Sequence, residues 1–205
     1  MAGDSHLFRT REEMEAAGFV LDGNRFVKGE EVWLPLYEGK MIWQYDHRYG
    51  SFHGINTHSN TQLPATTPDN YCSVNYQIVP WYWVSSTEID SRCREERNWT
   101  FTYRGVTNAT NERTVLLSLI PRYAINHNTP CIFFIVEISK QICVYSNLNS
   151  MIFDFIARNK YNSTFMSFFI FKQLPVLPPS TYTASLTDFI APRVIELTYT
   201  AWDLE

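Results

Sequence analysis

Residues 33–52 read WLPLYEGKMIWQYDHRYGSF. Six aromatic side chains in this stretch accompany Lys40, His47 and Arg48. A plain core strand alternates apolar and polar residues, so the stretch carries more chemistry than a strand alone requires. It predicts a strand over residues 32–45, bent at its proline or its glycine. Its charged and aromatic groups fit three kinds of site: an active site, a nucleic-acid surface or a docking face.

Composition predicts one folded domain with an appended helical tail. The chain has 205 residues and a mass of 24.0 kDa, and 45% of its residues are hydrophobic and 19% charged, which suffices for a sizeable core. The aromatic share of 16% indicates that some aromatic side chains lie at a partly wet contact surface, because Tyr and Trp combine an apolar body with a polar tip.

The sequence shows neither a signal peptide nor a membrane span. The start, MAGDSHLFRTREEMEAAG, carries charges where a signal peptide needs an apolar run. The longest strongly apolar stretch, Cys131 to Val136, is too short to cross a bilayer. The four cysteines form no C-x-x-C pair, and two of them are expected to be buried free thiols. We therefore expect a reducing, cytoplasmic protein that contacts no membrane.

Charge is distributed unevenly along the chain. Residues 1–90 hold 6 Lys+Arg and 12 Asp+Glu, for a net charge of −6, whereas residues 91–172 hold 10 and 5, for +5. Residues 173–205 hold 1 and 4, for −3, and the whole chain has a net charge of −4. A basic middle between acidic ends favours local contact with a polyanion. An unevenly charged, solvated surface explains the same numbers.

Local signals predict helices near both ends and strands between them. Thr10-Arg11-Glu12-Glu13 is typical of a capped helix that ends at Gly18, and Asp22-Gly23 between apolar flanks indicates a hairpin. Further strands are predicted over residues 78–84, 99–106, 114–120 (strand or short helix) and 131–138, of which the last is the best candidate for a buried strand.

The spacing of apolar residues changes in the second half of the chain. A helix is predicted after Asn147 or Asn149, because apolar residues then fall on one helical face. Residues 165–174 return to an extended pattern, and a last helix is predicted over residues 186–202. This order of elements predicts an α+β fold: a mixed, largely antiparallel twisted sheet with a few helices and a C-terminal helix.

One pattern suggests metal-dependent DNA cleavage. Restriction-type nucleases place an Asp before a Glu-x-Lys strand, whose carboxylates hold Mg²⁺ while the Lys positions the attacking water. Asp22 followed by Glu38 and Lys40 matches this loose spacing, so a Mg-dependent nuclease stays an alternative function. The carboxylate and imidazole groups of residues 46–58 are spaced too irregularly to enforce a zinc geometry, and exposed or DNA-facing histidines are expected there.

Interleaved basic, amide and aromatic side chains favour contact with DNA. Arg and Lys neutralise phosphates, and Arg, Asn and Gln read base edges in the major groove. The stretches ATNERT (109–114) and RNKYNST (158–164) are rich in hydrogen-bonding groups, as loops along DNA often are, although internal pairing such as Glu112 with Arg113 accounts for part of this polarity. The candidate DNA-binding residues are Lys40, His47, Arg48, Arg104, Asn111, Arg113, Arg158, Lys160, Asn162 and Lys172.

Four segments occur in order: LPLYEGKMIWQYDHRYGSF, YRGVTNATNERTVLLSLIPR, SNLNSMIFDFIARNKYNSTFMSFFIFKQLPVLPP and FIAPRVIELTYTAWDL. Together they resemble the region downstream of the catalytic domain in large adenine-specific DNA methyltransferases of restriction–modification and related phage-defence systems. That region is similar to the target-recognition domains of type IIG enzymes and type I specificity subunits. In these, a helix beginning LNS precedes an extended LPVLPP segment. The resemblance spans most of the chain.

The resemblance implies a sequence-recognition module that positions duplex DNA for adenine methylation by a catalytic domain outside this chain. The family binds S-adenosylmethionine through a Gly-containing loop and flips adenine into an (Asn/Asp)-Pro-Pro-(Tyr/Phe) pocket. Here VLPPS (176–180) lacks both the hydrogen-bond acceptor and the stacking ring. The chain is therefore expected to hold no catalytic residue and no cofactor, with S-adenosylmethionine bound in the missing catalytic domain.

The same resemblance implies an organisation and a set of partners. We expect an N-terminal helix and hairpin over residues 1–30, a DNA target-recognition domain over 31–180 and a truncated C-terminal helical segment over 181–205. The expected partners are duplex DNA and the methyltransferase domain of the parent protein. A protein-interaction domain that never touches DNA stays a further alternative.

Base reading is expected outside the recognisable segments, because members of this family read different DNA sequences. The candidate base-reading segments are residues 53–77, 85–98 and 122–130. Trp33 to Tyr45 is expected to pack in the core and at the interface with the methyltransferase domain, and Asp46-His47-Arg48 is expected to face outward.

Overall fold

The computed structural model describes residues 4–93 and 97–205, and within these ranges the chain has the predicted α+β fold. The strands are β1 (Arg9–Thr10), β2 (Val20–Asp22), β3 (Arg25–Lys28), β4 (Glu31–Tyr37), β5 (Tyr82–Ser85), β6 (Trp99–Tyr103), β7 (Leu117–Pro121), β8 (Ala124–Ile125) and β9 (Cys131–Ile132). The helices are α1 (Arg11–Ala16), α2 (Pro68–Tyr71), α3 (Ser86–Arg92), α4 (Ile138–Leu148), α5 (Met151–Lys160), α6 (Phe168–Phe171) and α7 (Ala184–Thr198).

Two sheets carry the strands. The first has the antiparallel order β1-β5-β4-β3-β2, and β8 extends it by pairing in parallel with β4. The second is antiparallel, with the order β7-β6-β9. The predicted mixed, largely antiparallel arrangement is therefore confirmed, and it consists of two sheets.

Local rules account for the N-terminal helix and hairpin. Thr10 caps α1 through a capping box, and Gly18, with a φ of +81°, follows the end of the helix as predicted. Asp22 pairs with Arg25 across β2 and β3, and Gly23 in the two-residue turn between them has a φ of +63°. Positive φ is what such tight hairpin turns require, so the predicted hairpin is confirmed.

Strand β4 lies inside the first sheet and changes partners along its length. Its first part pairs with β3 and β5, whereas its last two residues pair with β8. Pro35 lies beyond the end of the β3 pairing, so a residue without an N–H is tolerated there. The strand stops at Tyr37 and a 3₁₀ turn follows over Gly39–Met41. The observed strand is shorter than the predicted range of 32–45, and the chain bends at the glycine.

The apolar run over residues 131–138 does not form the predicted buried strand. Only Cys131–Ile132 is strand, at the edge of the second sheet, and Ile135 is 99% exposed. The run leaves the sheet after two paired residues, and Ile138 begins α4. An apolar run predicts that a segment forms a strand or a helix, but it does not predict which other part of the chain covers that segment.

Hydroxyl side chains begin the helices of the second half. Ser150 caps α5, Ser167 caps α6 and Thr183 caps α7. Residues 165–174 contain α6, so the extended conformation predicted for them is wrong, because the Ser167 cap starts a helical turn. The predicted C-terminal helix is confirmed, but it spans Ala184–Thr198, so it begins two residues before and ends four residues short of the predicted range of 186–202.

Described side chains form one large core and three smaller clusters. The large core packs the second sheet against α4, α5 and α7. A smaller cluster buries Tyr37, Met41, Ile42 and Phe52, which confirms the core position predicted for much of the opening stretch. The domain boundaries after residues 30 and 180 stay predictions. Among the described helices, none combines the length and the apolar character that a membrane crossing needs.

Candidate functional site

Two polar segments that are distant in sequence lie side by side. The Thr107 N–H donates to the Thr164 carbonyl at 3.2 Å, and the Tyr161 hydroxyl donates to the Thr107 carbonyl at 3.2 Å. We name residues 107–114 and 158–164 together the paired polar loops, although 158–160 are the last residues of α5. They contain both polar stretches that the sequence predicted to contact DNA.

Asp154 on α5 anchors the first of these loops. One carboxylate oxygen accepts the N–H groups of Thr114 at 2.7 Å and Val115 at 2.8 Å, and the other accepts from Arg158 Nη2 at 3.2 Å. The same guanidinium nitrogen donates to two carbonyls of the first loop, each at 2.9 Å. Charge-assisted bonds of this kind are strong, so a buried carboxylate sets the loop conformation. Sequence analysis missed Asp154, although its spacing of four residues from Arg158 on a helix is a usable signal.

Five predicted DNA-binding residues lie on the paired polar loops. Asn111, Lys160 and Asn162 are exposed, and Arg113 is half-buried. Within the described part of the chain, no hydrogen bond or ion pair engages the Arg113 guanidinium or the Lys160 ammonium. Both cations are therefore available to an external anion.

The fifth candidate on the paired polar loops is Arg158, and a sixth candidate, Lys172, lies outside them. Arg158 is half-buried and uses its guanidinium on Asp154 and the loop carbonyls, so its contacts hold the loops together. Lys172 is exposed and follows the last residue of α6, outside the paired polar loops.

The three basic residues of the opening stretch are engaged inside the protein. Lys40 Nζ donates to the carbonyls of His58 at 3.0 Å and Asn60 at 2.8 Å. His47 and Arg48 are both 0% exposed, so the prediction that they face outward is wrong. A fully buried side chain does not reach a DNA phosphate in this conformation.

Burial of Arg48 is possible because distant segments supply acceptors. Its guanidinium donates to three carbonyl oxygens: those of Ser73 at 2.8 Å, Tyr76 at 3.2 Å and Thr200 at 2.9 Å. These acceptors lie 25, 28 and 152 residues away in sequence, so no local pattern reveals them. Beside it, His47 Nε2 lies 2.9 Å from Asp203 Oδ1. Buried charges persist only when they are paired in this way, and together the contacts hold the C-terminal residues against the opening stretch.

Arg104 also makes an internal contact. Its Nε donates to the Val106 carbonyl at 3.1 Å, and a Cβ on Gly39 would lie 3.2 Å from Arg104 Cγ. Burial lowers the pKa of the Arg104 guanidinium, and Tyr49 acts in the opposite direction. The side chain is half-buried, so most of its length serves packing.

The residues of the nuclease alternative are not brought together. Asp22 lies in the exposed hairpin, where its carboxylate pairs with Arg25 at 3.1 Å. Glu38 lines a different cleft and lies beside Lys40, 3.6 Å from Oε2 to Nζ. No group of three or more His, Cys, Asp or Glu side chains able to hold a metal occurs among residues 4–93 and 97–205.

A cleft of about 900 Å³ opens beside the end of β4. The candidate base-reading segments 53–77 and 122–130 both line it, and 85–98 lines an adjoining cleft of about 380 Å³. Residues 94–96 of the last segment lie outside the described residues. Cys131 lines the larger cleft, and burial raises the pKa of its thiol to about 11, so this thiol is not activated as a nucleophile.

Tyrosine burial is a general property of this protein. Desolvation is the largest cause of a raised phenol pKa at eight tyrosines: Tyr37, Tyr45, Tyr71, Tyr103, Tyr123, Tyr145, Tyr161 and Tyr182. The pKa is raised to about 12 for Tyr103 and for Tyr123. These hydroxyls are neutral at physiological pH, and seven of them donate hydrogen bonds, whereas the buried Tyr182 hydroxyl has no hydrogen-bond partner among the described residues.

Comparisons with known proteins supply no information about the function of this chain. No protein-family model, no curated protein and no solved structure matches this chain. The paired polar loops and the cleft beside β4 are therefore the two features from which a function is argued.

Proposed function

We propose that this chain is a DNA sequence-recognition module, which positions duplex DNA for adenine methylation by a separate catalytic domain. The observation that carries the proposal is the side-by-side packing of residues 107–114 and 158–164, two segments with polar sequences of the kind that contact DNA. Arg113 and Lys160 supply cations for phosphates, and Asn111 and Asn162 supply amide groups. The resemblance to the specificity regions of adenine methyltransferases supports the same reading.

The charge balance of the paired polar loops favours an anion. Glu112 is their one acidic residue and is outnumbered by Arg113 and Lys160, whereas the Arg158 charge is already opposed by Asp154. Asp154 beside them is buried and its oxygens already accept three donors. Its charge is therefore compensated within the protein. The net charge of −4 opposes DNA at long range, but that repulsion is screened beyond about 10 Å at 0.1 M salt.

Fluorescence anisotropy with a labelled duplex tests the proposal. We expect weak binding, with a dissociation constant of about 10⁻⁴–10⁻⁶ M at physiological salt, because this chain without the catalytic domain supplies few phosphate contacts. Lys160→Ala and Arg113→Ala should each weaken binding to every sequence and reduce the slope of log affinity against log salt by about 1.

Arg25→Ala is the matched control for this experiment. It removes one positive charge from an exposed pair in the hairpin, so it changes net charge equally without altering the paired polar loops. If no binding is seen at low salt, or if Lys160→Ala and Arg113→Ala bind like Arg25→Ala, the paired polar loops are not a DNA surface. The chain alone should transfer no methyl group from labelled S-adenosylmethionine to DNA, and transfer above background contradicts the proposed role.

One observation favours the alternative of a protein-interaction domain. Met151, Ile152 and Phe155 on α5 are 72%, 75% and 68% exposed, and a contiguous apolar patch of this kind commonly marks a protein contact. The protein-interaction alternative is favoured if DNA binding is undetectable at low salt while a methyltransferase domain binds the chain. Met151→Lys should then weaken that protein contact and leave the free energy of unfolding almost unchanged.

A further inference from the structure

The cleft of about 900 Å³ beside β4 is walled mainly by rings and apolar side chains. Tyr82, the first residue of β5, and the His58 imidazole line one side of the cleft, with ring centroids 5.2 Å apart. Tyr103 and Phe168 also line the cleft and pack edge-to-face at 6.3 Å. Aromatic walls of this kind accept a planar ring, because stacking uses the π-face that every such ring has.

One of the carboxylates that line this cleft is nearly buried. Glu38 lines it, and its side chain is 9% exposed. Oε1 lies 2.9 Å from His58 Nε2, and Oε2 lies 3.6 Å from Lys40 Nζ. An ionised carboxylate offers about four lone-pair sites. Because one short hydrogen bond and one longer ion pair occupy it, acceptor capacity remains for a ligand N–H.

The charges around the cleft disfavour both anionic and cationic ligands. None of the described side chains that line it is a Lys or an Arg, whereas Glu38 and Asp4 are acidic. A phosphate or carboxylate ligand is therefore disfavoured inside it. The Glu38 charge is already opposed by Lys40 and the Asp4 charge by Arg92 at 4.0 Å, so a cation gains little from either. A neutral planar ring with an N–H donor fits both constraints.

We propose that this cleft binds a single unpaired nucleobase with an exocyclic amine, either adenine or cytosine. The ring stacks against the aromatic walls, and the amine donates to Glu38, in the same sense as Glu accepts from a cytosine amine in DNA recognition. The cleft is also where two of the three candidate base-reading segments meet. The base comes either from a free nucleoside or from DNA, and in the second case the inference rests on the proposed function.

Ligand-observed NMR with nucleosides tests the cleft without DNA. Adenosine and purine riboside form a matched pair, since they differ by the exocyclic amine, and cytidine and uridine form a second. We expect adenosine to bind about tenfold more tightly than purine riboside, the loss expected for one hydrogen bond to a charged group. Equal affinities for the two overturn the proposal.

Protein variants locate the binding. Phe168 and Phe169 are neighbours on α6 and are 55% and 77% exposed, but only Phe168 lines the cleft. Phe168→Ala should weaken adenosine binding roughly 5- to 100-fold, the range seen for losing one stacking ring, and Phe169→Ala should not. In Glu38→Leu, adenosine and purine riboside should bind equally. That ratio compares two ligands on one protein, so it does not depend on the folded fraction.

A duplex with one bulged base distinguishes the two sources. An unpaired base has already lost its stacking and pairing, so extruding it costs little. If the base comes from DNA, a duplex with a bulged adenine should bind more tightly than one with a bulged thymine, and Phe168→Ala should remove the difference. Adenosine binding without this preference supports a free nucleoside. If neither ligand binds while Lys160→Ala still weakens duplex binding, the cleft proposal fails and the proposed function stands.

Discussion

Replacing Arg48 by Met removes a buried guanidinium and keeps most of the apolar volume of the side chain. Three part-buried carbonyl oxygens, at 2.8, 3.2 and 2.9 Å, lose this donor, and of these the Ser73 carbonyl keeps the Tyr76 N–H at 3.2 Å. A buried acceptor without a partner costs about 1–3 kcal/mol. The lower end of that range, summed over the two carbonyls left without a donor, gives about 2 kcal/mol, and relief of the buried charge offsets part of any larger value. We therefore expect Arg48→Met to reduce the free energy of unfolding by about 2 kcal/mol, a sizeable share of the ~5–15 kcal/mol that is typical of proteins.

Thermal unfolding followed by circular dichroism measures this loss. In chains of 150–250 residues, 1 kcal/mol shifts Tm by about 2–4 °C, so we expect a decrease of about 4–8 °C. Arg25→Met is the matched control, because Arg25 pairs with Asp22 on the surface and its side chain is 54% exposed. An exposed pair of this kind changes stability by about 0.5 kcal/mol or less.

A Tm decrease in Arg48→Met no larger than that in Arg25→Met would refute the reasoning. DNA binding gives an independent check, measured at a temperature where the variant is folded. Because Arg48 is 0% exposed, the folded variant should bind DNA as the parent does. A folded Arg48→Met that has lost DNA binding contradicts the burial assigned to this side chain.

Three further changes probe the described contacts. Asp154→Asn turns an NH₂ group toward Arg158, so we expect a loss of about 1–2 kcal/mol and faster hydrogen exchange at Thr114; unchanged exchange would show that the carboxylate does not hold the loop. Asn149→Ala removes an amide that accepts the Leu117 N–H at 2.8 Å and donates to its carbonyl at 3.1 Å, and urea unfolding should show a loss of about 2 kcal/mol for the two bonds. Stability should fall as pH rises above about 10, because unfolded tyrosines ionise near 10 while the folded phenols keep their protons to higher pH, to about 12 for two of them. A urea midpoint that stays constant from pH 9 to about 11 contradicts the tyrosine assignment.

Sequence by itself determined the elements that follow from neighbouring residues. The α1 cap at Thr10, the hairpin turn at Gly23 and the C-terminal helix depend on contacts within a few residues. Such contacts involve residue types at fixed spacing, so a pattern predicts them. The α+β class follows from the order of these elements, and the polar sequences of the two loops are equally visible in the chain.

Only the tertiary structure decided which charged groups are buried and which segments meet. Arg48 reads as a surface residue, but carbonyls up to 152 residues away satisfy its guanidinium. The run after Ile132 reads as buried, yet no neighbour covers Ile135 among the described residues. Glu38 reads as part of a nuclease pattern and instead faces an aromatic cleft with His58. The physical reason is common to all three: the free energy of burying a group depends on the partners that the fold brings to it, and those partners are not neighbours in sequence.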